Sequence, residues 1–156
     1  MNELYHHGVL GMKWGIRRYQ NPDGSLTAKG RKRYNQVITG NKTQLLGKTD
    51  STSRSYDVTD KNQNKVGTVI VDDFGDHDHI DWLGIKEKER GKGYGQDALD
   101  TVINDCIKRG KKYVTLDAAG LDPSAIHIYE KKGFKAVNEI KSDIWNDLAV
   151  MKKDLT

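Results

Sequence analysis

The stretch that most limits the fold runs from Ile85 to Gly110. Within it, Arg90-Gly-Lys-Gly-Tyr-Gly95 sets a glycine at every second position and leads directly into an amphipathic segment. Ala98, Leu99, Val102, Ile103, Cys106 and Ile107 recur at the three-and-four spacing of one helix face. Gln96, Asp97, Asp100, Asn104, Asp105, Lys108 and Arg109 take the other face, and Gly110 stands where helices end on a left-handed residue. The start of a helix leaves backbone N–H groups without partners and carries the positive end of the dipole. Glycines let that bare backbone come close to a ligand. The spacing therefore predicts a phosphate-receiving turn ahead of a helix over residues 94–109.

The flanks supply a sheet. Residues 55–59 alternate, Asp60-Lys-Asn-Gln-Asn64 is a turn cluster, and Val66-Gly-Thr-Val-Ile-Val71 is rich in β-branched residues. Residues 72–78 read as a second turn and His79-Ile-Asp-Trp-Leu-Gly-Ile85 as a third strand. Beyond the helix come Tyr113-Val-Thr-Leu-Asp-Ala118 as a fourth strand and a short helix over 122–133, with Pro123 at its first position and Gly133 at its end. Residues 134–140 and 148–153 read as closing strands. The order βββαβαββ predicts an α+β domain: a mixed, mainly antiparallel sheet with one central βαβ crossover. Upstream, residues 25–34 read as a short helix capped by Ser25 or Thr27, and residues 40–55, polar apart from Leu45 and Leu46, as a linker. The expected division is an irregular basic extension over 1–40, rich in glycine and aromatics, and a compact domain over 41–156.

Charge separates the same two parts. The first 34 residues carry a net +5, and the remainder −1, so any case for nucleic acid as a ligand rests on the extension. Apolar residues make up only 35% of the 156, which predicts a modest core. No apolar run approaches the roughly 20 residues of a membrane span, and no signal-peptide core stands at the N-terminus, so no membrane partner is expected. The one cysteine, Cys106, falls on the apolar helix face, where it reads as core packing in a reducing, cytoplasmic setting.

Other phosphate folds fit less well. A dinucleotide fold would use Asp117 as its ribose ligand, but needs G-x-G-x-x-G, whereas this turn is G-x-G-x-G and follows a charged insert at 86–89. Walker A needs Gly-Lys-Ser/Thr after its glycines, which this turn lacks. Asp76-His-Asp-His79 has metal-ligand residue types but no second cluster to close a site, and reads as a solvated hairpin loop; no metal is expected. His6-His7 is ambiguous, and His127 reads as a surface or packing residue.

Two motifs together carry a family likeness. Arg90-Gly-Lys-Gly-Tyr-Gly95 matches the (Gln/Arg)-x-x-Gly-x-(Gly/Ala) signature of the Gcn5-related N-acetyltransferases. Asp122-Pro-Ser-Ala-Ile-His-Ile-Tyr-Glu-Lys-Lys-Gly-Phe134 resembles that family's second element, in which an Asn, an Ala, a Tyr and a Gly-Phe recur at these spacings. The resemblance covers about residues 55–156. It implies acetyl-CoA as co-substrate, with the amides of Gly91, Lys92, Gly93, Tyr94, Gly95 and Gln96 around its pyrophosphate and charge from Arg90 and Lys92. Leu83, Gly84 and Ile85 would offer backbone groups to the pantetheine arm, and Asp122, Ser124 and Ala125 would line the sulfur end. Tyr129, with an ordinary pKa of about 10, suits protonation of the departing thiolate. Asp81 and His79 are the candidate bases for the acceptor amine, directly or through a water.

The chain departs from the family in two places. Asp122 stands at the family's Asn, which would bring a carboxylate to the sulfur end of the coenzyme. The region ahead of residue 55, where the family builds two helices over the acceptor, is short and polar. An open groove there would suit a protein or another bulky amine.

The extension has its own likeness. His6-His-Gly-Val-Leu-Gly-Met-Lys-Trp-Gly-Ile-Arg-Arg-Tyr-Gln-Asn-Pro-Asp-Gly-Ser-Leu-Thr27 resembles a box that recurs in phage and prophage proteins of Gram-positive bacteria. That implies a phage or mobile-element protein in the host cytoplasm or with the virion, with a virion or assembly partner for residues 1–34. Two functional readings follow: an N-acetyltransferase, or a non-catalytic phage structural or host-interaction protein built on a degenerate acetyltransferase fold.

Overall fold

A computed structural model of the chain describes residues 19–50, 52–119, 123–140 and 148–156. The expectations placed on 1–18, on Asp122 and on 141–147 lie outside the described residues, as do those on the side chains of Ser124 and Ala125. The element order is α1 (Ala28–Arg33), β1 (Gln36–Thr39), β2 (Gln44–Thr49), β3 (Ser53–Thr59), β4 (Lys65–Asp73), β5 (His77–Ile85), a 3-10 turn (Glu87–Glu89), α2 (Tyr94–Lys108), β6 (Tyr113–Ala119), α3 (Pro123–Lys131), β7 (Lys135–Ile140) and β8 (Leu148–Asp154). All eight strands form one sheet in the order β1-β2-β3-β4-β5-β6-β8-β7. Among the described residues only β5 and β6 pair in parallel, joined by the α2 crossover. The predicted α+β sheet with its central βαβ unit is what the chain builds.

Two strands were not anticipated. The stretch expected to be a linker supplies β2, whose Leu45 and Leu46 are buried, and β1 pairs with it ahead of the expected domain start. Ser53 and Arg54 likewise belong to β3. Of the two caps offered for α1 the chain uses Thr27, whose hydroxyl accepts from the Gly30 N–H at 3.0 Å.

Both crossovers, β5-α2-β6 and β6-α3-β7, step in the same direction across the sheet, and right-handed connections then place both helices on one face. The Lys132 ammonium of the α3 end meets the Asp100 carboxylate of α2 at 2.9 Å. Beneath them lie Tyr56, Val58, Val69, Val71, Ile80, Val114, Leu116 and Met151, with Ala98, Leu99, Val102, Ile103 and Cys106 facing down from α2. Each buried Val, Leu, Ile or Met among them contributes about 1.5–3 kcal/mol relative to exposure. The helix face differs from its pattern at both ends: Ile107 is 49% exposed, and Asp97, expected on the wet face, is buried. Both helices end as expected, with Gly110 and Gly133 at positive φ. In each, the following N–H returns to the last turn, Lys111 to Cys106 O and Phe134 to Tyr129 O, both at 3.0 Å.

The core also holds ions. Arg54 on β3 is buried and donates from Nη2 to the fully buried Asp78 at 2.7 Å, and from Nε to the Tyr56 hydroxyl at 3.0 Å. The Cys106 thiol donates to the same Asp78 oxygen at 3.2 Å, and Lys111 Nζ stands 3.5 Å from the other. Burial opposes the Arg54 charge, but its hydrogen bond to Asp78 and the neighbouring charges hold it well above its usual pKa. Burial, and after it Asp78, pushes the Cys106 thiol up, so it stays a thiol. Asp78 is therefore no part of a solvated loop: β5 begins at His77, and only 74–76 turn.

Candidate functional site

The site follows from a parting of strands. β5 and β6 stay in register from His77↔Tyr113 to Ile80↔Leu116 and pair no further, while β6 continues to Ala119 against β8. The cause lies on the other edge of β5. Its pairing with β4 shifts between Ile70↔Trp82 and Val71↔Ile80, which leaves Asp81 as an extra, bulged residue. A bulge bends its strand and increases the local twist, so the second half of β5 swings away from β6. Among the described residues nothing pairs with that edge of Asp81–Ile85.

The open edge has a defined polarity. Lys86 N–H bonds Val66 O at 2.8 Å, so by strand alternation Gly84 faces β4, while Leu83 and Ile85 face the gap. The Ile85 carbonyl is engaged by Arg90 Nε at 3.0 Å, which leaves the Leu83 N–H and C=O and the Ile85 N–H as the groups a ligand chain can pair with. Trp82, 58% exposed, lies across Gly84 on the face away from α2: a Cβ added at Gly84 would come within 2.7 Å of the indole Nε1.

The chain then turns through 87–93 into α2, and Gly91 and Gly93 make that turn at φ +81° and +87°. These are left-handed values that side chains disfavour. A Cβ at Gly91 would meet nothing within 4 Å, so its backbone is bare to solvent. The first N–H of the helix to find a backbone acceptor is that of Asp97, on Gly93 O at 3.0 Å. Among the described residues, the N–H groups of 91–96 have no protein partner. Gly93, the cap residue, supplies no side-chain acceptor. A Cβ at Gly95 would lie 3.4 Å from Ile85 Cγ1, which sets the helix start beside the end of β5. Chemically, this is a cradle for a doubly anionic group next to an unpaired strand edge, and a ligand with a phosphate head and an amide-bearing arm fits both.

One carboxylate fixes this end of α2. Asp97, 9% exposed, accepts from the N–H groups of Asn41 (3.1 Å), Lys42 (3.0 Å) and Thr43 (2.8 Å), and from the Thr43 hydroxyl (2.6 Å). The β1–β2 turn is thereby tied to the helix start. Lys42 reaches over Gly93 and donates to Lys92 O at 3.2 Å. Lys92 itself pairs with Glu89 at 2.8 Å, and that bond, ahead of the charge of Glu89, raises its pKa.

The candidate acid Tyr129 and the candidate base His79 lie on opposite faces of the sheet. Tyr129, on the second turn of α3, is half-buried against the core on the helical side, edge-on to Phe134 with ring centroids 6.1 Å apart. His79 faces the other side, where Nδ1 is 2.7 Å from Thr115 Oγ1 and Nε2 is 3.3 Å from Asp117 Oδ2. Asp81 is exposed at the bulge. Sequence reasoning had weighed Asp117 only as a ribose ligand and had overlooked Thr115. The register pair His79↔Thr115, on the same face as Asp117 two residues on, is the signal that only strand pairing reveals.

Comparison with known proteins agrees with this geometry. The model of the acetyltransferase (GNAT) family matches residues 27–134, and a family of unknown function, DUF7211, matches residues 1–21. No functionally curated protein matches the chain by sequence. Among solved structures, the chain is similar to the ribosomal-protein-S18-alanine N-acetyltransferase of Escherichia coli, with 17% identity, TM-score 0.63, and 69% of this chain on 72% of that one. It is also similar to the spermidine/spermine N-acetyltransferase of Vibrio cholerae, with 19% identity, TM-score 0.62, and 68% on 67%. A third, a GNAT acetyltransferase from Elizabethkingia anophelis with acetyl-CoA bound, shares 16% identity at TM-score 0.59, covering 67% of this chain and 77% of that one. At these identities the likeness is one of fold.

Proposed function

Because the chain belongs to the GNAT family, matched over residues 27–134, we propose that it transfers an acetyl group from acetyl-CoA to an amine on a protein or another bulky acceptor. The observation that carries this reading is the junction of two features: an unpaired β5 edge and, beside it, a helix start whose N–H groups have no partner. The first fits the amide-bearing pantetheine arm and the second the pyrophosphate. In this reading Leu83 pairs with the arm, and the amides of 91–96 hold the phosphates, with Arg90 and Lys92 beside them.

Acetyl-CoA supplies a thioester carbonyl, an electrophile that a neutral amine attacks directly. The residues of the chain then manage protons. Asp81 takes the proton that the amine must lose, directly or through a water. His79, both of whose ring nitrogens are engaged, fixes Asp117 and Thr115 at the mouth of the gap. The new C–N bond forms as the C–S bond breaks, and Tyr129 gives its proton to the departing thiolate. Tyr129 stands on the helical face and Asp81 at the bulge where the strands part, so in this reading the gap between β5 and β6 is the passage where the two substrates meet.

The bulky acceptor follows from what stands over the base. Between β1 and β5 the described chain makes only short turns, with no helix to roof the acceptor side. The box in 1–34 supports the accompanying reading of a phage or mobile-element protein working in a bacterial cytoplasm and held to a virion or assembly partner. Among the described residues no helix is long and apolar enough to cross a membrane.

The test is ligand-linked stability. At 100 times its Kd, a ligand stabilises the folded state by about 2.7 kcal/mol, which at this size raises Tm by roughly 5–11 °C. Acetyl-CoA should do so in a thermal melt and release free thiol when an acceptor protein is present. No Tm change at millimolar acetyl-CoA overturns the reading and leaves the non-catalytic interaction protein in its place.

A further inference from the structure

Resting on the acetyl-CoA reading above, we propose that Lys42 is a phosphate-binding residue of the coenzyme site and that Asp97 is the positioning residue that holds it there. Lys42 lies on the four-residue turn between β1 and β2, closed by Gly40 N–H on Thr43 O at 2.8 Å. That turn is seated on α2 by the four hydrogen bonds to Asp97. It comes so close that a Cβ at Gly40 would press into Thr101 Oγ1 and lie 2.6 Å from Asp97 Oδ2, so only glycine permits the approach. Lys61 braces the same turn by donating to Gly40 O at 3.2 Å.

The seat fixes where the lysine reaches. Its Nζ lies over Gly93, where an added Cβ would be 2.7 Å away, and one of its three N–H groups goes to Lys92 O. The neighbouring cations are already engaged, Lys92 by Glu89 and Arg90 by the Ile85 carbonyl. Lys42 is, among the described residues, the ammonium over this turn that meets no carboxylate. Two of its donors are left for an anion held on the amides of 91–96.

The same arrangement removes an obstacle. A carboxylate in the first turn of α2 opposes an anionic ligand at that helix start. Asp97 is buried, and its oxygens accept from four donors of the β1–β2 turn, so its charge is met from behind. One contact thus masks a repulsive charge and delivers an attractive one.

The experiment is calorimetric titration with coenzyme A, which needs no turnover. Lys42→Ala should raise Kd about ten-fold, as expected for one charge-assisted hydrogen bond to phosphate, and should make affinity less sensitive to added salt. Lys42→Arg should restore most of the affinity. The Tm of the free Lys42→Ala protein should stay within about 2 °C of wild type, as for a surface substitution. Asp97→Asn should weaken binding to a similar degree, and the double variant should be no weaker than either single one, because both act through one contact. If wild type binds coenzyme A and Lys42→Ala binds it within two-fold with the same salt dependence, the assignment of Lys42 is wrong while the acetyl-CoA reading stands. Additive losses in the double variant overturn the role of Asp97. Wild type that binds no coenzyme A overturns the underlying reading and this inference with it.

Discussion

Replacing Asp97 by Asn changes one atom and tests how the helix start is held. In the native protein Oδ2 accepts from Lys42 N–H, Thr43 N–H and the Thr43 hydroxyl, and Oδ1 from Asn41 N–H. An Asn oxygen in the Oδ2 position keeps three of these bonds without charge assistance. Its amide then points an N–H at the Asn41 N–H, donor against donor. One hydrogen bond to a charged acceptor is worth about 1.5–3 kcal/mol, and the weakening of the others brings the total to about 3 kcal/mol. For a chain of this length that lowers Tm by roughly 6–12 °C. The bland alternative is that Asp97 acts only on the helix dipole, which at about 0.3–1 kcal/mol would lower Tm by no more than about 4 °C. Thermal denaturation by circular dichroism separates the two, and amide exchange at Asn41, Lys42 and Thr43 should accelerate in step. A fall under 4 °C with unchanged exchange at those amides would refute the tether.

Three further outcomes follow from other parts of the molecule. Arg54→Met leaves the fully buried Asp78 without its guanidinium and should cost about 3–5 kcal/mol in urea unfolding, whereas adding Asp78→Leu should recover most of it; a single variant of near wild-type stability contradicts this. Burial, and after it the hydrogen bond to Asp57, pushes the Tyr34 phenol up to about 12, against about 10 when unfolded. Its raised pKa means that this stability is fully present below pH 10 and lost as pH rises through 12, so Tyr34→Phe should flatten part of the alkaline fall in Tm. Tyr129→Phe should lower kcat by about 100-fold or more with little change in the Kd for acetyl-CoA; a matching change in both would make Tyr129 a packing residue.

What the sequence shows of this fold is what is local. The α2 helix, its bracketing glycines and the strand runs 66–71 and 113–118 are each set by neighbours within a turn or a pleat, and these elements appear where expected. β1 was missed because it is four residues long at the sheet edge, with no fully buried side chain to give it a pattern. Asp97 was assigned to the wet face because a carboxylate on a helix usually is, and its partners lie 54–56 residues earlier in the chain. Asp78 was misplaced for the same reason: Arg54, which neutralises it, sits in the stretch that looked like a linker. The glycine turn was legible to the residue, but the gap beside it was not, since that gap is the absence of pairing beyond Ile80 and depends on a bulge with no sequence signature.

The position of β8 governs how the protein can be made. It lies between β6 and β7, so the last strand of the described sequence is an interior strand with neighbours on both sides. Until residues 148–154 have left the ribosome, β6 has no partner on that side and β7 cannot join the sheet at all. A nascent chain therefore carries two bare strand edges from the emergence of β6 and β7 until β8 follows, the condition that invites edge-to-edge aggregation. Closure awaits insertion of β8 as one late step that completes both ladders together. That step also joins Leu116 to Met151 across the core beneath α2 and α3. The strand farthest in sequence from the glycine turn thus decides when the gap beside that turn acquires a rigid wall.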